Sequence, residues 1–223
     1  MAVEQGKQSK AEGGSKRNEG GPRKKYARGL AAREEILEAA ARLFGNVGFH
    51  ETSLRDIAAQ VGMSHPGLLH HFPNKNALLM AVLEHRDQQD LKWMNETATA
   101  EAWFSGEAFV LLLQRNMERP GAACLFTRMA MEATNPHHPA HEYFVLRNRW
   151  LLKKYREILA EGVERGIIRD DIDVQSSSRA LSALLEGLHV QWLLESSTQT
   201  STQSADIAAA LEGFFSLLRV PKQ

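Results

Sequence analysis

From residue 30 onward, apolar residues recur with the three-to-four-residue spacing of α-helices. Long alternating runs rich in Val, Ile and Thr, which would indicate strands, are absent. Breaks rich in glycine, proline and polar residues divide the pattern into about nine segments, near 29–45, 53–61, 65–71, 75 to the mid-90s, 102–117, 121–134, 139–166, 175–197 and 204–219. The sequence therefore predicts an all-α protein of about nine helices.

The second and third predicted helices carry the most informative local signals. Ser53, followed three residues later by Asp56, forms the capping-box pattern of a helix start, and Gly62 is a typical helix stop. Ser64 can cap the next helix, and Pro66 lies in its first turn, where a missing N–H group is tolerated. Two short helices joined by a tight turn predict a helix-turn-helix, whose second helix enters the major groove of DNA.

The predicted second helix of this pair has an inward face formed by Leu68 and Phe72, with His71 as a further candidate, and an outward face of modest bulk. On the outward face, His65 and His70 can donate to guanine or phosphate acceptors, and a neighbouring proline or leucine can contact a thymine methyl group. The helix starts near residues 53 and 75 suit phosphate groups. The candidate DNA contacts are Arg28, Thr52, Ser53, Arg55, Ser64, His65, Pro66, Gly67, Leu69, His70 and Lys75.

Residues 33–84 resemble the N-terminal domain of TetR-type transcriptional regulators. The matching residues are Ile36, Ala39-Ala40, Leu43-Phe44, Gly48-Phe49, Thr52–Ala58, Val61–Ser64, Leu68, His71-Phe72, Lys75 and Ala77–Leu79. The resemblance implies an N-terminal helix-turn-helix domain and a C-terminal helical domain for ligand binding and dimerisation. It also implies a homodimer that binds palindromic double-stranded operator DNA, usually as a repressor, and that a small molecule releases.

Two positions depart from the pattern of the family. Leu69 stands where a tyrosine often contacts phosphate, and Asn76 stands where an acidic residue is common. Without the tyrosine hydroxyl, Lys75 and the basic N-terminal segment are expected to carry more of the binding to the DNA backbone.

The last two predicted helices are apolar on more than one face, so each needs burial on more than one face. We predict that they form a symmetric four-helix contact between two subunits; the alternative is a large core within one chain. The candidate dimer residues are Leu181, Leu184, Leu188, Trp192, Leu211, Phe215 and Leu218.

The resemblance places a ligand pocket between the middle helices. The candidates are Phe109, Leu113, Phe126, Met129, Tyr143, Arg147, Trp150 and His189, each of which would otherwise be an ordinary core or surface residue. Tyr143, Arg147 and Trp150 share one helix face, and Arg147 can either capture an anionic ligand or pair with an acidic side chain. The identity of the effector does not follow from these residues.

The distribution of charge refines the domain organisation. The chain has 27 basic and 27 acidic residues, but residues 1–30 carry a net charge of +5 and six of the 16 glycines. We therefore predict a disordered basic arm over 1–28, which either solubilises the chain or contacts nucleic acid. The helix-turn-helix domain is expected over 29–75 and the C-terminal domain over 76–223. The net charge of the whole chain is zero because an acidic remainder offsets this basic segment. A neutral total therefore does not exclude DNA binding.

The remaining signals are weaker. Cys124 is the single cysteine, and no export signal or apolar run of ~20 residues is present, so a cytoplasmic location without a membrane partner is expected. His137, His138 and His141 have metal-like spacing, which leaves a metal-dependent helical protein or enzyme as an alternative function. No set of catalytic residues stands out, so neither an enzyme nor a cofactor is expected. A TetR-like activator or a ligand-independent regulator is a further alternative.

Overall fold

The computed structural model describes residues 22–195 and 203–221. Within these residues it confirms the predicted all-α class, with ten helices, no strand and one isolated antiparallel bridge between Ile168 and Arg219. The helices are α1 (Pro22–Asn46), α2 (Leu54–Gln60), α3 (His65–His71), α4 (Lys75–Thr97), α5 (Ala100–Ser105), α6 (Glu107–Met117), α7 (Pro120–Glu132), α8 (His141–Glu164), α9 (Val174–Glu195) and α10 (Gln203–Leu218).

The described residues form one more helix than the sequence pattern predicts, because the segment near 102–117 divides at Gly106. This residue has a φ of 89°, in the left-handed region that glycine adopts most easily. A Cβ atom at this position would lie 2.3 Å from Cδ2 of Phe215, a buried ring on α10. The break between α5 and α6 therefore depends on a residue more than one hundred positions away, which a local pattern does not reveal.

Helix α1 begins seven residues earlier than predicted. Residues 22–28, expected to belong to a disordered arm, form the first turns of this helix. Pro22 occupies the first helical position, where proline is tolerated, and the following Arg, Lys and Ala residues are good helix formers. Residues 1–21 of the predicted arm lie outside the described residues.

The helices surround two main hydrophobic cores. The first core joins α1–α3 and the first half of α4 to α7, and it includes Phe44, Leu68, Leu79 and Met129. The second core is formed mainly by α6, α8, α9 and α10. Because α7 shares a core with the first four helices, the N-terminal helices pack directly on the rest of the chain.

Helices α1 and α7 approach so closely that their backbones touch. A Cβ atom at Gly45 would lie 2.0 Å from the carbonyl oxygen of Gly121, and the Arg128 guanidinium donates to the carbonyl of Gly45 at 3.5 Å. Any larger residue at position 45 would push the two helices apart.

Helix α4 belongs to both halves of the molecule. Its first half, from Leu78 to Leu83, packs in the first core, and Met94 near its end packs in a small third cluster with Ala102 and Ala108. A single continuous helix therefore runs from just after α3 into the C-terminal bundle. None of the described helices is long and apolar enough to cross a membrane.

Candidate DNA-binding surface and ligand cavity

Short-range caps fix the ends of α2 and α3. The Ser53 hydroxyl accepts a hydrogen bond from the Asp56 backbone N–H at 3.2 Å, and the Asp56 carboxylate accepts one from the Ser53 backbone N–H at 2.8 Å. These two bonds form the predicted capping box. Hydrogen bonds from the Ser53 side chain and backbone hold the pKa of Asp56 below its ordinary value.

Short-range contacts also fix the turn between α2 and α3. Gly62 has a φ of 64°, and the Met63 N–H donates to the carbonyl of Ala58 at 2.8 Å. The Ser64 hydroxyl then accepts from the Gly67 N–H at 3.2 Å and starts α3. A Cβ atom at Gly67 would lie 2.9 Å from Cγ of Met63, so the small residue lets the turn pack against the helix.

The structure confirms the predicted inward face of α3, because Leu68 and Phe72 are buried. Pro66, Leu69 and His70 are exposed on the opposite face, and His65 and Gly67 are half-buried. The exposed face therefore offers imidazole and apolar groups to a partner, with no bulky side chain to keep the helix backbone at a distance.

One predicted DNA contact, Thr52, is wrong because this residue lies inside the domain. Thr52 is 3% exposed, and its hydroxyl donates to the carbonyl of Gly48 at 2.8 Å. The side chain therefore holds the turn after α1 and cannot contact phosphate. Arg28 and Arg55 are exposed, as a phosphate contact requires.

Lys75 is tied into the surface of the N-terminal helices. Its ammonium group donates to the carbonyl of His50 at 3.0 Å and lies 4.6 Å from the centre of the Phe49 ring. Burial lowers the pKa of Lys75, and the nearby Glu51 carboxylate opposes that shift. One of the three ammonium donors is used in this contact, which leaves two for an anionic partner.

A cavity of about 860 Å³ lies between α4, α5, α6 and α8. Four of the eight candidate pocket residues line it, namely Phe109, Tyr143, Arg147 and Trp150. Its volume is within the range of small-molecule sites, and its wall is mainly aromatic and aliphatic.

Polar contacts at one end of this cavity join α4 to α8. The Arg147 Nε–H is shared between the two carboxylate oxygens of Asp87, each at 3.0 Å. The Tyr143 hydroxyl lies within hydrogen-bonding distance of the same carboxylate and of the Leu83 carbonyl, the latter at 3.1 Å. Burial, together with the Asp87 charge and hydrogen bond, raises the pKa of Tyr143 above its ordinary value, so the phenol stays protonated. Arg147 thus pairs with an acidic side chain, one of the two roles expected for it.

The other candidate pocket residues do not line this cavity. Phe126 lines a second cavity of about 520 Å³ between α1, α4 and α7. The guanidinium groups of Arg86 and Arg147 lie 4.1 and 4.4 Å from the centre of the Phe126 ring. Leu113 and Met129 are buried in the two main cores.

His189 is held in a buried polar chain. Its Nδ1 lies 2.9 Å from the Leu185 carbonyl and must carry the proton, so Nε2 accepts from the Asn116 side-chain amide at 2.9 Å. The Asn116 carbonyl oxygen accepts from Arg86 at 3.0 Å, so the chain reaches α4. Burial lowers the pKa of His189 to about 4, and the neighbouring positive charges of Arg86 and Arg147 act in the same direction.

Several cavity residues were not among the sequence candidates. Glu84, Asp87, Leu91 and Met94 of α4 and Trp103 of α5 all line the large cavity. The four α4 residues recur three or four positions apart, so they share one face of a long helix. That spacing is a usable signal, but without a partner helix it does not distinguish a cavity wall from a core or a solvent face.

The candidate dimer residues pack inside one chain. Leu181, Leu188, Trp192, Leu211, Phe215 and Leu218 are buried in the second core, and Leu184 is half-buried. Their burial corrects the prediction that this side of the helices faces a second subunit. The exposed face of the same two helices instead carries Ala183, Val190, Ala210, Gly213 and Leu217.

The three histidines near the start of α8 make separate contacts. The Nδ1 atom of His141 lies 2.7 Å from the Ala133 carbonyl, and Nδ1 of His138 accepts from the Ala140 N–H at 3.2 Å. His137 is exposed. Over 22–195 and 203–221, no group of three or more His, Cys, Asp or Glu side chains is arranged to hold a metal ion.

Two short capped helices with an exposed second helix, joined by α4 to a helical bundle with a cavity, define the architecture of a helix-turn-helix transcriptional regulator. The family profile described as bacterial regulatory proteins, tetR family, matches residues 36–82, and the one described as tetracyclin repressor-like, C-terminal domain, matches residues 107–208. The chain belongs to the TetR family of DNA-binding transcriptional regulators.

Individual relatives agree with this assignment. The HTH-type transcriptional regulator SrpR of Pseudomonas putida is 25% identical over 89% of this chain and 91% of its own length. The HTH-type transcriptional repressor KstR2 of Mycolicibacterium smegmatis is 30% identical over 64% of this chain and 70% of its own length. A TetR transcriptional regulator from Chloroflexus aurantiacus has the same fold, with a TM-score of 0.72 and 21% identity over 87% of this chain and all of that one. The family consists of regulators, generally ligand-responsive repressors, and not of enzymes.

Proposed function

We propose that the protein is a repressor that binds a palindromic operator as a homodimer and that a small molecule in the large cavity releases it from DNA. The observation that carries this proposal is the path of α4. Its first residue, Lys75, lies beside the helix-turn-helix, and its cavity face begins with Glu84 and Asp87. The rise from residue 75 to residue 87 is about 18 Å.

A continuous helix of this kind transmits displacement from the cavity to the DNA-binding end. In the described conformation, α4 is held to α8 through Asp87 and Arg147 and to α6 through Arg86 and Asn116. A ligand that alters the spacing of α4 and α8 would move the start of α4 and, with it, the packing of α3. An effector acts in this way only to the extent that it binds the two states with different affinity.

The DNA-binding part of the proposal is tested by fluorescence anisotropy with fragments from upstream of the protein's own gene. We expect one fragment to bind far more tightly than random DNA of equal length, with an affinity that falls as salt rises. Equal affinity for every fragment at low salt would contradict a specific operator. Activation of the adjacent promoter in a reporter strain, in place of repression, would favour the activator alternative.

Two variants separate base contacts from backbone contacts. His70→Ala should weaken operator binding more than random-DNA binding, by about 1–3 kcal/mol, because base contacts specify and phosphate contacts position. Lys75→Ala should weaken both and reduce the salt slope by about one. Equal losses on both DNAs for His70→Ala would assign this residue to the backbone.

The proposed dimer uses the exposed face of α9 and α10. Val190 is 38% and Leu217 is 72% exposed, and a Cβ atom at Gly187 or Gly213 would meet no atom of the described residues within 4 Å. Small residues on an exposed apolar face permit close approach of two helix pairs around a two-fold axis.

The dimer is tested with Gly213→Arg, which adds bulk and charge on that face at a position where a Cβ atom meets no described residue within 4 Å. We expect the molar mass from light scattering to fall from two chains to one and operator affinity to be lost. Gln114→Arg adds the same charge at an exposed position on α6 and should remain dimeric. A wild-type protein that is monomeric at micromolar concentration would contradict the dimer.

A further inference from the structure

The wall of the large cavity is rich in aromatic rings. Trp103, Phe109, Tyr143, Trp150 and Tyr155 all line it. Trp103 and Tyr155 pack edge-on against Phe109, with ring centres 5.2 and 5.6 Å apart. Trp150 is 41% exposed and is therefore not a core residue of this chain. Such a wall suits the apolar body of an organic molecule and, through the negative faces of the rings, a positive charge.

The two cationic side chains of the lining are already paired. Arg147 is bound to both carboxylate oxygens of Asp87, and its guanidinium also lies over the Phe126 ring. The Lys154 ammonium donates to Glu157 at 2.8 Å. An anionic ligand would therefore have to displace a carboxylate from one of these cations before it could be neutralised.

The carboxylates of the cavity lining, in contrast to its cations, are not all paired. Asp90 lies between Arg86 at 3.6 Å and Arg115 at 3.4 Å, and Glu161 is paired with Arg165. Glu84 is exposed and has no Lys, Arg or His nitrogen within 4.0 Å among the side chains of residues 27–195 and 206–221. It lines the cavity one helical turn before Asp87, next to Leu83, whose carbonyl accepts from the Tyr143 hydroxyl. The lining thus retains one carboxylate that forms no ion pair with any side chain that the structure describes.

We propose that the cavity binds a lipophilic organic cation, with its apolar groups against Trp150 and the neighbouring rings and its positive charge near Glu84. This inference rests on the proposed function, because it names the chemical class of the effector. The charge of such a ligand is attracted by Glu84 and by the ring faces and meets no unpaired cation. Since Glu84 lies on α4 and Trp150 on α8, the ligand touches both helices whose spacing controls the DNA-binding end.

The sign of the preferred charge is measured with two probes of the same shape, tetraphenylphosphonium and tetraphenylborate. We expect isothermal titration calorimetry of the full chain to show at least tenfold tighter binding of the phosphonium cation. Quenching of tryptophan fluorescence should accompany binding, because Trp103 and Trp150 line the cavity. Equal or tighter binding of the borate anion would overturn the proposal.

Variants locate the cation within the cavity. Glu84→Gln should weaken phosphonium binding roughly three- to fivefold, as expected for an ion pair at a partly exposed site. Trp150→Ala should weaken it roughly five- to thirtyfold through lost contact with the ring face. Glu107→Gln removes an exposed carboxylate of α6 that does not line the cavity and should leave affinity unchanged. Equal losses for the variants at 84 and 107 would show a general effect of net charge and would overturn the assignment of Glu84.

Failure of this inference is distinguishable from failure of the proposed function. Binding of the probes is measured without DNA, and binding of the upstream fragments is measured without probes. Specific operator binding together with a preference for the borate anion would leave the regulator intact and contradict only the cationic effector. If the phosphonium cation binds as expected, its addition to the protein–operator complex should lower anisotropy in the wild type, and roughly three to five times more should be needed for Glu84→Gln.

Discussion

The DNA-facing helices and the wall of the large cavity are stabilised by interactions of very different range along the chain. Around α2 and α3, the side-chain bonds of Ser53, Ser64 and Asn74 each join residues three positions apart. At the cavity, Asp87 and Arg147 are 60 positions apart, as are Leu83 and Tyr143. One region is shaped by its own sequence, whereas the other takes its shape from the way distant helices pack.

This difference bears on function. A helix pair fixed by its own caps keeps its shape while the rest of the molecule changes, which suits a surface that must fit the groove of DNA. A cavity wall fixed by pairs between helices can change when one helix shifts, because each pair joins two separate elements. The cavity end is thus the part of the chain best suited to respond to a ligand.

Substitutions at two glycines with left-handed backbone conformation should show the largest difference between local and long-range stabilisation. Gly62 has a φ of 64° with open space around it, and Gly106 has a φ of 89° against the Phe215 ring. Gly62→Ala should lower the free energy of unfolding by about 1 kcal/mol through the backbone alone. Gly106→Ala should lower it by about 3–4 kcal/mol, since a buried clash adds to the backbone term.

Thermal unfolding checks this pair of variants. The loss at position 106 corresponds to a fall in Tm of roughly 6–15 °C, against a few degrees at position 62. Similar values for the two variants would mean that the Phe215 contact relaxes easily, and the distinction between local and long-range stabilisation would weaken. A second substitution, Phe215→Leu, should recover part of the loss in Gly106→Ala by making room for the new methyl group.

The same contrast explains how much the sequence predicted. The helix-turn-helix and the bounds of α3 followed from caps and turn residues such as Ser53, Gly62 and Ser64, which act over a few positions. The break at Gly106 did not, because a glycine within a helical pattern is compatible with a continuous helix until the position of Phe215 is known.

The candidate sites show the same limit. The inward residues of α3 were predicted, but Thr52 was placed on the surface because its hydroxyl partner, the Gly48 carbonyl, depends on the shape of a turn. Half of the candidate pocket residues line the large cavity, and Glu84 and Asp87 were missed because polar residues on α4 are equally compatible with solvent. The candidate dimer residues were apolar, but periodicity did not tell which apolar face packs within the chain.

The buried His189 makes the stability of the C-terminal helices depend on pH. Its pKa is about 4 in the folded chain, against about 6.5 for an unfolded histidine, so the unfolded chain binds more protons between these values. Stability should therefore fall as pH decreases from 7 to 5, by about 2 kcal/mol from this residue. Carboxylates with lowered pKa, such as Asp56, lose their contribution only at more acidic pH.

Urea unfolding at pH 7 and pH 5 measures this effect, with His189→Gln as the comparison. The variant is expected to be less stable than the wild type at pH 7 but to lose about 2 kcal/mol less on acidification, because the glutamine does not titrate. If His189→Gln loses as much stability between pH 7 and pH 5 as the wild type does, the pH dependence comes from other histidines. That result would contradict the burial of a neutral imidazole at this position.

The smallest expected effect concerns the DNA-facing end. Ser53→Ala removes the hydroxyl that caps α2, which should lower the free energy of unfolding by about 1 kcal/mol, whereas Ser53→Gly should lower it by only a few tenths. If capping is the main role of this side chain, operator affinity measured well below the Tm should change little in both variants. A loss of affinity in both variants, larger than the loss of stability explains, would show that the Ser53 hydroxyl contacts phosphate directly and that the local bonds of this region serve DNA binding as well as folding.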